Sequence, residues 1–243
     1  MGADQFQFKQ FTIFQDRCGM KVGTDGVLLG AWTNLKGAQS ILDIGTGTGL
    51  IALMLAQRSQ AEIDAVEIDL EASIQARENV MQYGLRQPRS PWQNRVQVHH
   101  TSIQDYSLNC GKLYDLLVTN PPFFTNVSKG ADSARNLARH DDQLTVVDLF
   151  RAADKLLNPE GRITLIYPDH AMNQLREIIR QFGFFCNQIV EVKPTAQSVP
   201  KRVLIEASRQ PSCTSKQTLV IETSQHCYTS EFINLVQDFY LKY

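Results

Sequence analysis

The chain has 243 residues, a formal net charge of −1, a hydrophobic fraction of 43% and a charged fraction of 20%. These values allow one well-cored domain and exclude a uniformly basic protein, although they do not exclude a local basic face. No apolar run reaches the ~18 residues of a membrane span, and the N-terminus lacks the basic and apolar regions of a signal peptide. We therefore predict a cytoplasmic protein with one domain, residues 1–243, in which residues 1–38 form an N-terminal appendage.

The cysteines and histidines give no metal-binding pattern. The five cysteines are scattered, odd in number and without a C-x-x-C pair, which favours free thiols in a reducing compartment. His99 and His100 are adjacent on a predicted strand, so their side chains point to opposite faces and are poor joint ligands. We expect no metal site.

The N-terminal appendage contains two predicted elements. Residues 8–15 and 20–22 are typical of the two strands of a hairpin, with the turn at residues 16–19. Residues 27–32 then predict a short helix. Thr24 and Asp25 precede this helix, where such residues commonly serve as caps.

A strand, a glycine-rich turn and a helix follow in succession. Residues 40–44 are mostly apolar, residues 45–49 read Gly-Thr-Gly-Thr-Gly, and residues 50–58 have a helical pattern. This order is typical of the first unit of an open α/β sheet, in which ligands bind beyond the carboxyl ends of the strands. A second strand, residues 63–66, ends at Glu67, about 20 residues after the turn, where an acid can hold ribose hydroxyls.

The residues around the turn indicate its ligand. A dinucleotide fingerprint requires glycine or alanine at position 50, where this chain has Leu50. Asp43, which precedes the glycines, attracts an ammonium group, directly or through water, and repels phosphate. S-adenosylmethionine has ribose, adenine and an ammonium group but no phosphate, so we predict that it is the cofactor.

The rest of the chain alternates strands and helices, which implies a largely parallel sheet. The predicted strands are residues 96–99, 113–119, 162–167, 188–192, 203–207 and 218–222. The predicted helices are residues 70–83, 145–157 and 170–182, and one that begins at residue 230. Residues 158–161, Asn-Pro-Glu-Gly, are a helix stop signal.

Four residues at the end of the 113–119 strand are the most informative motif: Asn120, Pro121, Pro122 and Phe123. Two successive prolines make a stiff segment whose carbonyls can point at a ligand. Asn120 adds a carboxamide oxygen as an acceptor, and Phe123 adds a flat face. The set suits a planar group with an exocyclic amine, because acceptors take its N–H protons while the ring stacks on its plane. The alternative at this point is a strand that simply ends at prolines.

With this motif and the glycine turn together, the chain resembles the class I S-adenosylmethionine-dependent methyltransferases, specifically the amino-methylating group with an Asn-Pro-Pro-aromatic motif. Residues 8–13 and 20–32 extend the resemblance to the bacterial family that methylates N6 of adenosine 37 in a valine tRNA. The resemblance implies a Rossmann-like α/β fold: a seven-stranded, mostly parallel sheet with an antiparallel last core strand, plus the N-terminal hairpin and helix.

The resemblance also implies roles for individual residues. Asn120 Oδ1 and the Pro121 carbonyl accept the two amine hydrogens of the adenine, and Phe123 stacks on the base. Asn120 also borders the cofactor. The amino-acid end of the cofactor lies against Asp43, Gly45, Thr46 and Gly47, and its ribose lies against Glu67. The family usually has an acid at the end of the third strand for the cofactor adenine, where this chain has Ser102 and Ile103. Asp105 is an alternative there, and Thr24 and Asp25 either line the cofactor pocket or only cap a helix.

The substrate implied by the resemblance is the anticodon loop of a tRNA, bound by a protein that we expect to be a monomer. Two segments have alternative interpretations: residues 86–95 pack Trp92 or stack an unpaired nucleotide, and residues 123–140 form a substrate lid or a passive connection. Candidate RNA-binding cations form three groups: Lys9, Arg17 and Lys21; Lys129, Arg135 and Arg139; and Lys193, Lys201 and Arg202. The alternative functions are methylation of a protein glutamine, methylation of guanine N2 in ribosomal RNA, and an inactive binding module.

Overall fold

The structure is a computed structural model that describes residues 4–86, 92, 94–122 and 144–243. Several predictions made above fall outside these residues: the stacking role of Phe123, the lid or connection at residues 123–140, and the contacts of Lys129, Arg135 and Arg139.

The described elements follow the alternation that the sequence predicts. The strands are β1 (Gln5–Gln7), β2 (Thr12–Phe14), β3 (Ser40–Ile44), β4 (Glu62–Glu67), β5 (Val96–His100), β6 (Tyr114–Thr119), β7 (Leu157–Pro168), β8 (Phe185–Thr195), β9 (Arg202–Ser208), β10 (Ser215–Ser224) and β11 (Cys227–Tyr228). The helices are α1 (Thr24–Trp32), α2 (Leu50–Arg58), α3 (Leu70–Arg86), α4 (Ile103–Asn109), α5 (Val146–Leu156), α6 (Met172–Gln181) and α7 (Ser230–Val236). None of them is long and apolar enough to cross a membrane.

One sheet organises the fold, with the strand order β11-β10-β8-β9-β7-β6-β3-β4-β5. Strands β3 to β7 are parallel neighbours in this order, and β9 is antiparallel to both β7 and β8. The predicted antiparallel last core strand is therefore confirmed as β9. The sheet is wider than the seven predicted strands, because β10 pairs in parallel with β8 and β11 pairs with β10.

The predicted N-terminal hairpin exists, but its predicted strands are wrong. β1 pairs with β2, and the turn lies between Phe8 and Phe11, closed by the hydrogen bond from Phe8 N to Phe11 O. Phe8 and Phe11 are both buried, and Phe8 stacks on Tyr240. Their burial fixes the turn eight residues earlier than an alternation of residue types suggests. Residues 16–23 form no strand and lie beside the glycine turn.

Trp92 is buried, with its ring edge-on to Phe11 at 6.4 Å, so the packing interpretation of this residue is confirmed. Arg95 donates to the carbonyls of Ala56 and Ala61.

The stop signal after α5 is correct, since the helix ends at Leu156. Strand β7 begins at once, five residues before the predicted start, with a register shift opposite Tyr114 and Leu116. At this shift a Cβ on Gly161 would lie 2.9 Å from the Tyr114 carbonyl oxygen, so only glycine fits.

Two apolar layers cover the sheet. Helices α1, α2 and α7 and the hairpin pack on one face, and α4, α5 and α6 pack on the other. Because β3, β4, β5 and β6 are parallel, their carboxyl ends meet at one edge. The glycine turn, Glu67, Ser102 and Asn120 all follow these ends.

Candidate active site

The glycine turn after β3 has a left-handed backbone that glycine favours. Gly45, Gly47 and Gly49 have φ values of 70°, 56° and 82°. The backbone N–H groups of Gly45 and Thr46 donate to the Val66 carbonyl at 2.9 and 3.1 Å, which ties the turn to the end of β4. A Cβ on Gly45 or Gly47 would meet nothing within 4 Å, so the backbone borders open space at these positions.

Asp43 lies beneath this turn and is fully buried. Its Oδ2 accepts hydrogen bonds from Thr46 Oγ1 at 2.6 Å and from Ala52 N at 3.1 Å, so one oxygen holds the turn and the first turn of α2 together. Its Oδ1 is buried without a partner among the residues that the structure describes. Burial raises the pKa of Asp43 to about 7, although the bonds from Thr46 and Ala52 act in the opposite direction.

Glu67, at the end of β4, connects two loops at this edge. Its Oε2 accepts from Gly47 N at 2.8 Å, and its Oε1 accepts from Asp69 N at 3.0 Å. These bonds fix the carboxylate at one wall of the site, and the remaining lone pairs are available to a ligand.

Asn120 follows β6 directly. The adjacent Thr119 donates from Oγ1 to the Ile44 carbonyl at 2.9 Å, which locks the end of β6 to the end of β3. Asn120 Oδ1 is a buried acceptor with no partner in the described part of the chain. Pro121 is buried, whereas Pro122 is exposed. A buried acceptor without a donor costs free energy, so this oxygen indicates a ligand that supplies the donor.

One cavity of about 380 Å³ brings most of the predicted residues together. Seven of them line it: Gly45, Gly47, Glu67, Ser102, Ile103, Asn120 and Pro122. Asp43, Thr46 and Pro121 do not line it, and all three are buried. The positioned carboxylate of Glu67, the open backbone of the glycine turn and the apolar walls fit S-adenosylmethionine.

Comparison with known proteins decides the family. Residues 22–191 match the methyltransferase small domain family. The chain belongs to this family.

Full-length relatives narrow the family further. The chain is 54% identical to the tRNA1(Val) (adenine(37)-N6)-methyltransferase of Trichodesmium erythraeum and 47% identical to that of Parabacteroides distasonis, with 100% of each chain covered in both cases. The methyltransferase is therefore a member of this tRNA (adenine-N6)-methyltransferase family and depends on S-adenosylmethionine.

Two solved structures are similar to this chain in fold alone, since their sequence identities are only 18% and 16%. A predicted O-methyltransferase from Agrobacterium tumefaciens superposes with a TM-score of 0.67 at 18% identity, over 88% of this chain and 96% of that one. The ribosomal protein L11 methylase of Lactobacillus delbrueckii superposes with a TM-score of 0.54 at 16% identity, over 76% and 77% of the two chains.

Ser102 and Asp105, the two candidates for contact with the cofactor adenine, lie directly after β5 in this methyltransferase. Ser102 caps α4: its Oγ accepts from Asp105 N at 3.0 Å and donates to Asp105 Oδ2 at 2.8 Å. Ser102, Ile103 and Gln104 line the cavity, whereas Asp105 does not. Asp105 therefore supports the cap, and the cavity wall comes from the three residues before it.

Sequence reasoning missed another wall of the cavity. Cys18, Gly19 and Met20, from the segment between β2 and α1, line it, together with Ile68 and Leu144. Burial, followed by repulsion from Glu67 and Asp69, raises the pKa of Cys18 to about 11, so the thiol stays neutral. No sequence signal marks this wall, because the exposure of Met20 and Ile68 exists only in the folded structure.

Thr24 and Asp25 take neither predicted role. Gly23 caps α1 without a side-chain hydrogen bond, and neither residue lines the cavity. Asp25 Oδ2 instead accepts from Arg202 Nε at 2.7 Å, an ion pair that joins α1 to the start of β9. Arg202, proposed above as an RNA contact, is therefore a structural partner of Asp25.

The two adjacent histidines have separate partners. His99 Nε2 lies 2.8 Å from Asp64 Oδ1, whereas His100 Nε2 lies 3.1 Å from the Ile68 carbonyl oxygen. Burial favours the protonated form of Asp64, but hydrogen bonds from His99, Lys112 and Tyr114 outweigh it and lower its pKa to about 2. Within the described ranges, no three side chains form a group that could hold a metal ion.

Proposed function

We propose that this methyltransferase transfers the methyl group of S-adenosylmethionine to the N6 amine of an adenine in RNA, adenosine 37 in the anticodon loop of a valine tRNA. The observation that carries the proposal is the buried Oδ1 of Asn120, which has no partner among the described residues and lies in the cavity wall next to two prolines. The activity for which the full-length relatives are named supports the same nucleotide.

The amine is held by acceptors on a rigid segment. Asn120 Oδ1 takes one N–H of the adenine amine, and the Pro121 carbonyl takes the other. The amine lone pair, otherwise delocalised into the ring, is then directed toward the cofactor. No general base has to act first, because the amine proton becomes acidic only after transfer. Catalysis by these residues is mainly positioning and electrostatic stabilisation in a site that excludes water.

The cofactor supplies an electrophilic methyl group on a sulfonium centre. Asp43 Oδ1, the buried carboxylate oxygen without a partner among the residues described, attracts the ammonium group of the cofactor through the glycine turn. Glu67 accepts hydrogen bonds from the ribose hydroxyls, and Ser102 and Ile103 border the adenine. Gly45, Thr46 and Gly47 keep the backbone close to the amino-acid end. Each of these roles is part of the proposal.

Phe123 completes the substrate side of the site in this proposal. A base in a loop lacks a pairing partner, so it is the least costly to swing out of its stack and place against an aromatic ring. Phe123 follows Pro122 directly in the sequence, and its contact with the base is part of the proposal.

The RNA itself is bound by a local basic face, since the net charge of −1 gives no general attraction to phosphate. Lys193, at the end of β8, and Lys201, before β9, lie at the same edge of the sheet as the active site. Two other candidate cations already have protein partners. Lys9 Nζ donates to the Gln237 and Tyr243 carbonyls, and Arg17 pairs with Glu78. We propose that the protein acts on this substrate in the cytoplasm and that it acts as a monomer.

The test of this function compares substrate classes directly. Protein and labelled cofactor are incubated with total RNA or total protein from cells that lack the gene. We expect counts that nuclease removes and protease leaves. Label in a glutamine side chain would instead support the protein methyltransferase, and label in 2-methylguanosine would support the ribosomal RNA alternative. An absence of transfer to either pool would indicate an inactive binding module.

A further inference from the structure

A second cavity, of about 390 Å³, lies between α6, β8 and β10, away from the cofactor site. Three cations line it: Arg176, Arg180 and Lys216. The strand registers place it relative to the active site. Phe185, at the rim of the cavity, pairs with Ser208 of β9, and Ser208 pairs with Arg162 of β7. Arg162 pairs with Leu116 of β6, which lies four residues before Asn120. At ~3.3 Å per residue and ~4.8 Å per strand, Phe185 lies roughly 20 Å from Asn120 through the sheet, at the amino end of β8 and so on the side of the sheet opposite the active-site edge.

The cations of this cavity are available to an anion. Arg176 is half-buried and has no hydrogen-bond or ion-pair partner in the ranges that the structure covers. Arg180 makes a 3.4 Å contact with Glu177 between two largely exposed side chains. Lys216 pairs with Glu191 at 2.6 Å, with its side chain 59% exposed. Exposed pairs of this kind contribute little stability, so a more highly charged partner can replace them.

The remaining walls of the cavity combine an aromatic rim with hydroxyl groups. Phe185 is 46% exposed although it is large and apolar, and it lies next to the buried Phe184. Ser212 and Thr214 line the opposite side. An aromatic face beside cations and hydroxyls is the combination that proteins use for nucleic-acid backbones and unstacked bases.

We propose that this cavity binds the phosphodiester backbone of the RNA substrate at a position outside the target loop. The inference rests on the proposed function. Arg176 and Arg180 are one helical turn apart, about 6 Å along the axis of α6, and Lys216 faces them from β10. Such a row fits successive phosphates of a chain. Because an RNA must pass around the sheet, it spans at least roughly 20 Å from Asn120, which corresponds to six or more stacked nucleotides at ~3.4 Å each, so these phosphates belong to the stem and not to the loop.

The test uses the double variant Arg176→Glu and Arg180→Glu with two RNAs. One is the full-length valine tRNA, and the other is a hairpin that keeps the loop and only the base pairs that close it. For the tRNA we expect KM to rise at least about tenfold and the slope of log affinity against log salt to decrease by about two. For the hairpin we expect KM to stay within about twofold of wild type, because its phosphates do not reach the cavity. Equilibrium binding of each RNA is measured in parallel.

The matched control is Arg151→Glu with Lys155→Glu, which makes the same charge change at the same spacing on α5, outside the cavity. An equal loss with this control, an equal loss with both RNAs, or no loss with the tRNA would each overturn the inference. Restoration of tRNA binding by Arg176→Lys with Arg180→Lys would support it. Failure of the wild type to methylate either RNA would contradict the proposed function. The equilibrium binding of the variants and the wild type to the two RNAs would still show whether the cavity binds the tRNA stem.

Discussion

At the residue scale, the site depends on two oxygens that have no partner among the residues described, Asp43 Oδ1 and Asn120 Oδ1. The sequence could identify both residues, because a carboxylate before a glycine turn and an amide before two prolines are rare arrangements with a chemical purpose. The sequence could not show that Asp43 lies beneath the turn and outside the cavity wall. That depth follows from the bonds of Thr46 and Ala52 to its other oxygen, which only the folded turn creates.

The role of Asn120 is tested by Asn120→Ala. We expect kcat to fall at least about 100-fold, by analogy with the loss of one preorganised hydrogen-bonding group in an active site. The free energy of unfolding should change little, because Oδ1 has no protein partner in the described ranges. Single-turnover methyl transfer and thermal unfolding measure the two effects. Asn158→Ala is the control, since its amide bonds Asp115 outside the cavity. Near-normal turnover in Asn120→Ala would disprove the amine-holding role.

The buried carboxyl of Asp43 predicts a pH dependence. Its ordinary pKa is 3.8, and burial raises it to about 7, so between these values the folded protein holds a proton that the unfolded chain has lost. The unfolding free energy of the ligand-free protein should therefore decrease as pH rises through this window. Cofactor affinity should increase through about pH 7, because the ionised carboxyl attracts the ammonium group.

Asp43→Asn should flatten both profiles, since the amide does not titrate. Calorimetry across this pH range, together with denaturant unfolding, measures them. Parallel pH profiles for the wild type and the variant would mean that Asp43 does not act on the ammonium group.

At the element scale, elements with strong local signals were predicted best. Helix α2 begins and ends at the predicted residues 50 and 58. Its start is well defined because Gly49, in a left-handed conformation, precedes it. The hairpin was misplaced, because Phe8 is buried against Tyr240 and Phe11 against Trp92, and both contacts are distant in sequence. Strands β7 and β8 were predicted too short. Pairing with β6 extends the start of β7 to Leu157, and pairing with β9 and β10 extends β8 to Phe185 and Thr195.

The cap of α4 gives a test at this scale. Ser102→Ala should lower the unfolding free energy by about 1 kcal/mol, the usual cost of losing an N-cap, and raise the cofactor Kd several-fold. The second effect is expected because the same helix end forms the cavity wall. Thr145→Ala is a matched control: Thr145 caps α5 through Asp148 with the same pair of bonds, and it does not line the cavity. If both variants weakened cofactor binding equally, the α4 cap would have no specific role.

At the scale of the whole molecule, the parallel sheet collects functional residues from distant parts of the sequence at one edge. This feature was predictable from the alternation of strands and helices. Strand β10 was predicted at residues 218–222, whereas β11 was not, because it has only two residues. The assignment of residues 1–243 to one domain stays a prediction. So does the stacking role of Phe123, which lies outside the described residues.

The basic face at this edge is tested by Lys193→Glu with Lys201→Glu. We expect a several-fold increase in the RNA KM and an unchanged cofactor Kd, because the charges face the substrate and lie outside the cofactor cavity. Arg202 is kept, since its reversal would also break the ion pair with Asp25. Steady-state kinetics at two salt concentrations measure the effect, with Arg151→Glu and Lys155→Glu as the control. An unchanged KM would place the RNA-binding face elsewhere.

The central claim is that the acceptor is the N6 amine of an adenine in the anticodon loop. Its most direct test is mass spectrometry of nucleosides and loop fragments from unmodified valine tRNA after incubation with the protein and S-adenosylmethionine. We predict one N6-methyladenosine, at position 37, the position named for the relatives. We also predict that this product is absent with Asn120→Ala. A methyl group found in 2-methylguanosine or in protein glutamine, with none in N6-methyladenosine, would contradict the account.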